Sequence, residues 1–293
     1  MSHLCDVIES GRFVITSELN PPKGTDLEPL YQKADMLKGV VDAFNLTDSH
    51  AAHMAMAPMA AAHLLHQRGI EPILQLTTRD RNRIALQSDL LGAYALGIKN
   101  VVFMGGDPPS AGDHPDAKPV FDVYTSIMLR AARGMENGHD MSGNELHGNP
   151  RFCLGAVCNP GAEDLDEEVR RMEEKLDAGA RFFQTQAIYE PAKFERFAHA
   201  VNGLGATVFA GIIPLKSARM ARYMNTRVPG IHVTDELIHR IDDAKDRRKT
   251  SIQIAASIVS EVRHMCQGLH VMAIGWEDII PEILDAAGVK RNG

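Results

Sequence analysis

Two hydrophobic rhythms take turns along this chain. Short runs rich in Val, Ile, Phe and Thr read as strands: the apolar part of Phe13–Lys23 (FVITSELNPPK), then Val40–Leu46, Ile70–Thr77, Lys99–Met104, Arg151–Val157, Arg181–Thr185, Ala206–Ile212 and Gly268–Ala273. Between them, apolar residues three and four apart mark helices. Leu27, Leu30, Tyr31, Ala34 and Leu37 share one face, with Asp26 as the expected N-cap. The same spacing predicts helices over Pro58–Gln67, Ile84–Leu96, Val123–Arg133, Pro191–Val201, Ser217–Met224, Asp235–Met265 and Asp278–Ala287, and along the stripe Leu165, Val169, Met172 and Leu176. Pro58 opens one helix, and Gly69 and Gly97 close two, as their backbone preferences favour. The polar, Gly-rich stretch 134–150 reads as a mobile surface insertion.

Eight strands alternating with helices, with no long linker, imply a parallel sheet. One closed (β/α)8 TIM barrel over residues 1–293 fits the number and the length. An open doubly wound sheet is the runner-up, but no G-x-G-x-x-G follows the first strand. In a barrel, the chemistry lies on the loops that leave the strands.

Composition narrows the function without naming it. A formal charge of −7 and 44% apolar residues describe a globular chain with no basic stripe for nucleic acid. No apolar run approaches a membrane span, and MSHLCDVIESGR has no signal-peptide core, so the chain reads as cytoplasmic. The four cysteines read as buried thiols; Cys153 and Cys158, an odd number apart in one strand, fall on opposite faces and make a poor metal pair.

The strand ends supply Glu18, Asn45 with Thr47, Gln75 with Thr77, Asp107, Asn159, Gln184 with Gln186, and Lys216. Carboxylates this sparse among amides and hydroxyls are not a divalent-metal array, and the pairs His50/His53 and His63/His66 lack a third ligand; no metal is expected. Gly105 and Gly106 allow close backbone approach beside Asp107, though a structural turn with a solvated Asp reads the same way. Glu18 reads as a rim acid or as a cap for the next segment. Gln184 and Gln186, two apart, share a face and would point both amides at one ligand with donors and acceptors, such as a heterocycle edge. The charge run EDLDEEVRRMEEK reads as a solvated helix face, with Lys175 the member kept open for a role.

Taken together, ITSELNPPK, LTD, GGDPP, LGAV, KLDAGARFFQTQ and AGIIP resemble the methylenetetrahydrofolate reductase family along nearly the whole chain, and GDHPDAKPVFD is shared with a divergent bacterial branch. The resemblance implies a flavin-bearing barrel that interconverts 5,10-methylene- and 5-methyltetrahydrofolate in one-carbon metabolism, with FAD (or FMN) and with NADH or NADPH as co-substrate. It implies Glu18 as the acid that protonates the folate N10, Asp107 as the carboxylate beside flavin and folate, and Gln186 as the glutamine that meets the pterin and the nicotinamide in turn. Thr47 would lie beside the flavin ring, Gln75 and Asn159 would contact the flavin, and Lys175 would reach its phosphates. Burial at the barrel mouth is expected to push the Glu18 carboxyl up toward neutral pH. The chain departs from the family pattern at Gln75 (usually His), Gly105 (usually Arg), Asn159 (usually Tyr) and Ala273–Trp276 (usually Thr-Leu-Asn-Arg). The rival readings are a flavin-free pterin-binding methyltransferase barrel, a non-catalytic folate-binding subunit, and a Schiff-base aldolase on Lys216. Homo-oligomerisation is left open.

Overall fold

The structure is a computed structural model that describes residues 2–290; residue 1 and residues 291–293 of the expected domain lie outside them. Its strands are β1 Val14–Leu19, β2 Ala43–Leu46, β3 Pro72–Thr77, β4 Asn100–Met104, β5 Cys153–Cys158, β6 Phe182–Ala187, β7 Thr207–Ile212 and β8 Gly268–Val271. Each runs parallel to the next and β8 pairs with β1, so the sheet closes into the expected (β/α)8 barrel. The helices are α1 His3–Glu9, α2 Glu28–Leu37, α3 Pro58–Gln67, α4 Arg83–Ala95, α5 Thr125–Glu136, α6 Leu165–Asp177, α7 Pro191–Val201, α8 Ala218–Arg227, α9 Asp235–Asp242, α10 Arg247–Val262 and α11 Ile280–Ala286. Among the described residues no helix is long and apolar enough to cross a membrane.

Several boundaries differ from the sequence reading for local reasons. The strand expected from Val40 begins at Ala43, because the Val40 and Val41 amides both bond back to Leu37 O as α2 ends. The single helix expected over Asp235–Met265 is two, because Asp243 ends α9 and the Asp246 carboxylate caps the Lys249 amide at the start of α10. Asp26 is not the N-cap of α2: Leu27 holds that position, and Asp26 Oδ1 accepts from the Glu28 amide. The 134–150 stretch is bonded mainly within itself and tied to α4 at one point. Its His139–Glu145 bridge, the Asp140 carboxylate accepting from Ser142 and Asn144 amides, and the Met141 amide bonded to Gln87 Oε1 hold it.

The sequence reading missed α1, seven residues being too few to show a period. Its Leu4, Cys5 and Val7 plug the barrel floor against Val14, Ala43, Ile73, Val102, Cys153, Phe182 and Phe209. Cys158 instead joins the shell between strands and helices, so Cys153 and Cys158 do take opposite faces. Inside the barrel Phe182 and Phe209 stack with ring centroids 5.2 Å apart. That packing dictates the neighbouring residue: a Cβ on Gly155 of β5 would overlap the Phe182 ring. Gly155→Ala should therefore lower stability by about 1–3 kcal/mol through overpacking. A urea midpoint that did not move would show that the Phe182 ring can step aside.

Candidate active site

At the C-terminal ends of the strands a cavity of about 510 Å³ opens, with Glu18, Gln75, Asp107, Asn159, Lys175, Gln184 and Gln186 on its wall together with His50 and His270. Its size is that of a small-molecule site. A larger groove of about 800 Å³ lies at the opposite rim, where no strand's C-terminal end reaches; its charged lining includes Arg12 and Asp42, which pair at 2.7 Å. Chemistry in such barrels lies at the C-terminal strand ends, which makes the first cavity the candidate site.

Glu18 is the penultimate residue of β1, and its side chain is 12% exposed. Gln75 Nε2 donates to its Oε2 at 3.4 Å, His270 Nε2 lies 3.9 Å from the same oxygen, and His50 Nδ1 lies 4.0 Å from Oε1. Burial alone pushes the Glu18 carboxyl up, but the nearby His270 ring, His50 and Gln75 together hold it below the ordinary carboxylate value. The direction is thus opposite to the raised Glu18 that burial alone predicts. His270 is the partner that the sequence reading overlooked. Its signal was one polar residue at an inward position of the apolar run GLHVMA, paired in register with Thr16 across the β1–β8 seam.

The other expected residues divide. Gln184 is buried and exchanges amide bonds with Asn45, whereas Gln186 is half-buried, with its Oε1 accepting from the Ala187 amide where β6 shifts register against β7. The two amides therefore do not meet a ligand as equals. Asp107 is exposed on the loop after β4, its carbonyl accepting from Arg79 Nη1 at 3.2 Å. Gly106 before it has φ +87, and a Cβ there would press on Thr77 and Arg79, so this turn needs glycine. Thr47 is buried behind the cavity wall, donating to Asn20 Oδ1 at 2.8 Å. Asn159 folds its Oδ1 onto the Gly161 amide. Lys175 on α6 reaches Val157 O at 2.7 Å, and burial lowers its ammonium from the ordinary lysine value against the opposing pull of Glu168. Among the described residues no group of three or more His, Cys, Asp or Glu side chains is arranged to hold a metal ion.

On the loops after β7 and β8, Lys216 Nζ lies 5.2 Å and Arg248 Cζ of α10 5.6 Å from the Trp276 ring centroid, and Lys216 donates to Ile274 O. These contacts occupy Lys216 away from the Glu18 cavity, whose wall does not include it.

The family model described as methylenetetrahydrofolate reductase matches residues 3–288. Methylenetetrahydrofolate reductase 2 of Schizosaccharomyces pombe is 26% identical over 98% of this chain, which spans 47% of that relative. The chain thus covers about half the length of the fission-yeast relatives it matches. The 5,10-methylenetetrahydrofolate reductase of Pectobacterium carotovorum is 23% identical, with 96% of this chain and 92% of that one covered. A Clostridium thermocellum protein, described as binding two copies of 5-methyl-5,6,7,8-tetrahydrofolic acid, shares the fold with a TM-score of 0.67 at 15% identity, covering 98% of both chains.

Proposed function

Because the chain belongs to the methylenetetrahydrofolate reductase family, we propose that it interconverts 5,10-methylene- and 5-methyltetrahydrofolate, with NADH or NADPH as the hydride source. The observation that carries the reading is Glu18: a nearly buried carboxylate at a strand end, flanked by two imidazoles, on the wall of a cavity otherwise rich in amides. Opening the five-membered ring of the methylene compound needs a proton at a folate nitrogen, and a positioned carboxyl group is the side chain suited to give it. The Gln186 side chain lines the cavity, and its NH2 group would donate to a pterin edge while its Oε1 also accepts from the Ala187 amide. Asp107, exposed at the rim, supplies negative charge where a cationic iminium would form.

The donor set also fits a flavin, FAD or FMN. The Lys175 ammonium is half-buried, bonds to a backbone carbonyl, and lies beside Arg171 on one wall, so a phosphate there would relieve a desolvated cation. Those two cations would hold the phosphates, while Gln75, Asn159 and Asp107 would meet the ring; Thr47, bonded to Asn20, is not on the cavity wall. When bound, a flavin supplies the relay of an electron pair between nicotinamide and folate. The chain's own residues bind, orient and shield the reactants from water.

The test is turnover of 5,10-methylenetetrahydrofolate by the purified chain with NADH and with NADPH, alongside a visible spectrum. Product 5-methyltetrahydrofolate together with a flavin band supports both parts of the proposal. Turnover by a colourless protein, unimproved by added FAD or FMN, would remove the flavin and keep the reaction. No turnover with either nucleotide, with or without flavin, would refute the reaction.

A further inference from the structure

Beside Glu18 the barrel interior, above its apolar floor, holds a connected set of polar groups. Asn45 and Gln184 face each other across the barrel from β2 and β6 and exchange two hydrogen bonds, Asn45 Nδ2 to Gln184 Oε1 at 2.7 Å and Gln184 Nε2 to Asn45 Oδ1 at 2.9 Å. The remaining Gln184 amide hydrogen is directed at His270 Nδ1, 3.3 Å away, and at Thr16 Oγ1, 3.4 Å away. Thr16 Oγ1 itself lies 3.0 Å from His270 Nδ1. All four side chains belong to residues no more than 3% exposed, so water does not compete for these bonds.

The arrangement selects a tautomer. The Thr16 hydroxyl can give its hydrogen to Nδ1 or to Leu269 O, 3.2 Å away, but the Gln184 amide nitrogen can only donate, which favours a neutral ring whose Nδ1 accepts and whose proton sits on Nε2. Nε2 is the nitrogen that faces Glu18 Oε2 at 3.9 Å, a gap of the kind that closes when a ligand fills the site. Oε2 also takes the Gln75 amide, whereas Oε1 is left toward His50 and the cavity.

We propose that His270 is the positioning residue of this site: its ring, fixed by Thr16 and by the Asn45–Gln184 pair, offers Nε2–H to Glu18 Oε2 and leaves Oε1 as the oxygen that presents the proton to the folate nitrogen. This rests on the reductase reading above and adds a division of labour to it. Gln184 thereby becomes a support for His270 rather than a ligand contact. The groups that bear on Glu18 come from separate elements: His270 from β8, His50 from the loop after β2 and neutral Gln75 from β3, with Asp107 after β4 and Lys175 on α6 across the same cavity.

The test reads Glu18 directly, in the ligand-free full-length chain labelled with ¹³C at glutamate carboxyls, with Glu18→Gln assigning the resonance. In His270→Asn the Glu18 midpoint should rise by about one pH unit or more, a tenfold change in its proton affinity. Folate kcat should fall by about tenfold or more while the folate KM stays within about threefold, and His270→Gln, which can return an N–H toward Oε2, should recover most of kcat. Thr16→Val, which keeps the side-chain shape and removes the hydroxyl, should raise the midpoint in the same direction by less, and it carries the test if the His270 variants do not fold. Midpoints within about 0.3 unit of the parent in both His270→Asn and Thr16→Val would overturn the proposal, and so would a loss confined to KM. A shifted midpoint in a chain whose parent turns over no folate would refute the assigned reaction and leave the His270–Glu18 coupling standing.

Discussion

Glu18→Gln should lower reduction of 5,10-methylenetetrahydrofolate by about 10²–10⁴-fold, the usual loss when a positioned acid is removed. The substitution keeps size and polarity, so binding of 5-methyltetrahydrofolate should change little. Oxidation of the nicotinamide nucleotide by an artificial electron acceptor, which needs no proton at a folate nitrogen, should also persist; equal loss of both activities would remove the acid role. The pH dependence gives a second reading. His270, His50 and Gln75 outweigh burial and hold the Glu18 carboxyl below its ordinary value, so in the ligand-free protein it is ionised at neutral pH. Reduction needs the protonated form, so kcat/KM for the folate should fall as pH rises above that folded value, and the Glu18→Gln profile should lose this slope. Stability runs the other way. A carboxyl with a depressed folded value adds stability that is present above the ordinary carboxylate range and disappears as pH falls through the folded value. Glu18→Gln should therefore flatten the acid end of the stability profile while abolishing the fall in turnover with rising pH.

The barrel was legible because its signal is repeated: eight apolar runs, each followed by a helical stripe, leave few alternatives to a closed parallel sheet. The rim acid was legible for a related reason, since a carboxylate next to Pro21-Pro22 marks the end of a strand. What stayed hidden depends on distances between strands remote in sequence. Nothing near Glu18 announces that His270, more than 250 residues away, will sit 3.9 Å from it, or that two imidazoles will reverse the effect of burial. Gln184 shows the same limit. Period-two spacing put it on one face with Gln186, but only the partner across the barrel reveals that its amide is already engaged by Asn45. The helix break at Asp243–Asp246 was available in principle, Asp246 being a capping residue three before Lys249, yet apolar positions on both sides kept one continuous period in view.

Asp48→Ala should be the most damaging single change at the rim, because Asp48 ties three segments together while almost fully buried. Its Oδ2 accepts from the Thr77 amide and hydroxyl, both at 2.9 Å, at the end of β3. Arg81 grips the same carboxylate through two nitrogens, at 2.6 and 3.2 Å, and also reaches Asp89 on α4 at 2.9 Å. Removing one member of a buried pair costs about 3–5 kcal/mol; Arg81 keeps Asp89 and is partly exposed, so a loss of about 3 kcal/mol is expected. Asp48→Asn, which can still accept from Thr77, should lose less. Denaturant midpoints compared at equal slope will measure both, and a shift for the alanine variant no larger than that of a surface substitution would show that Arg81 and Thr77 find other partners. The consequence for the site follows from the backbone just beyond. Ser49, Ala51 and Ala52 all have left-handed φ, at 50°, 51° and 58°, a conformation that non-glycine residues keep only when their surroundings impose it. Asp48 is the anchor immediately before them, and His50, one of the two imidazoles at Glu18, lies among them. Freed from Thr77 and Arg81, the segment should relax and carry His50 away from Oε1. The Glu18 midpoint should then rise, as burial acts with one imidazole fewer against it, even in the fraction of Asp48→Ala molecules that remains folded. A His50→Asn variant should reproduce that titration shift without the loss of stability, separating the tether from the charge it holds in place.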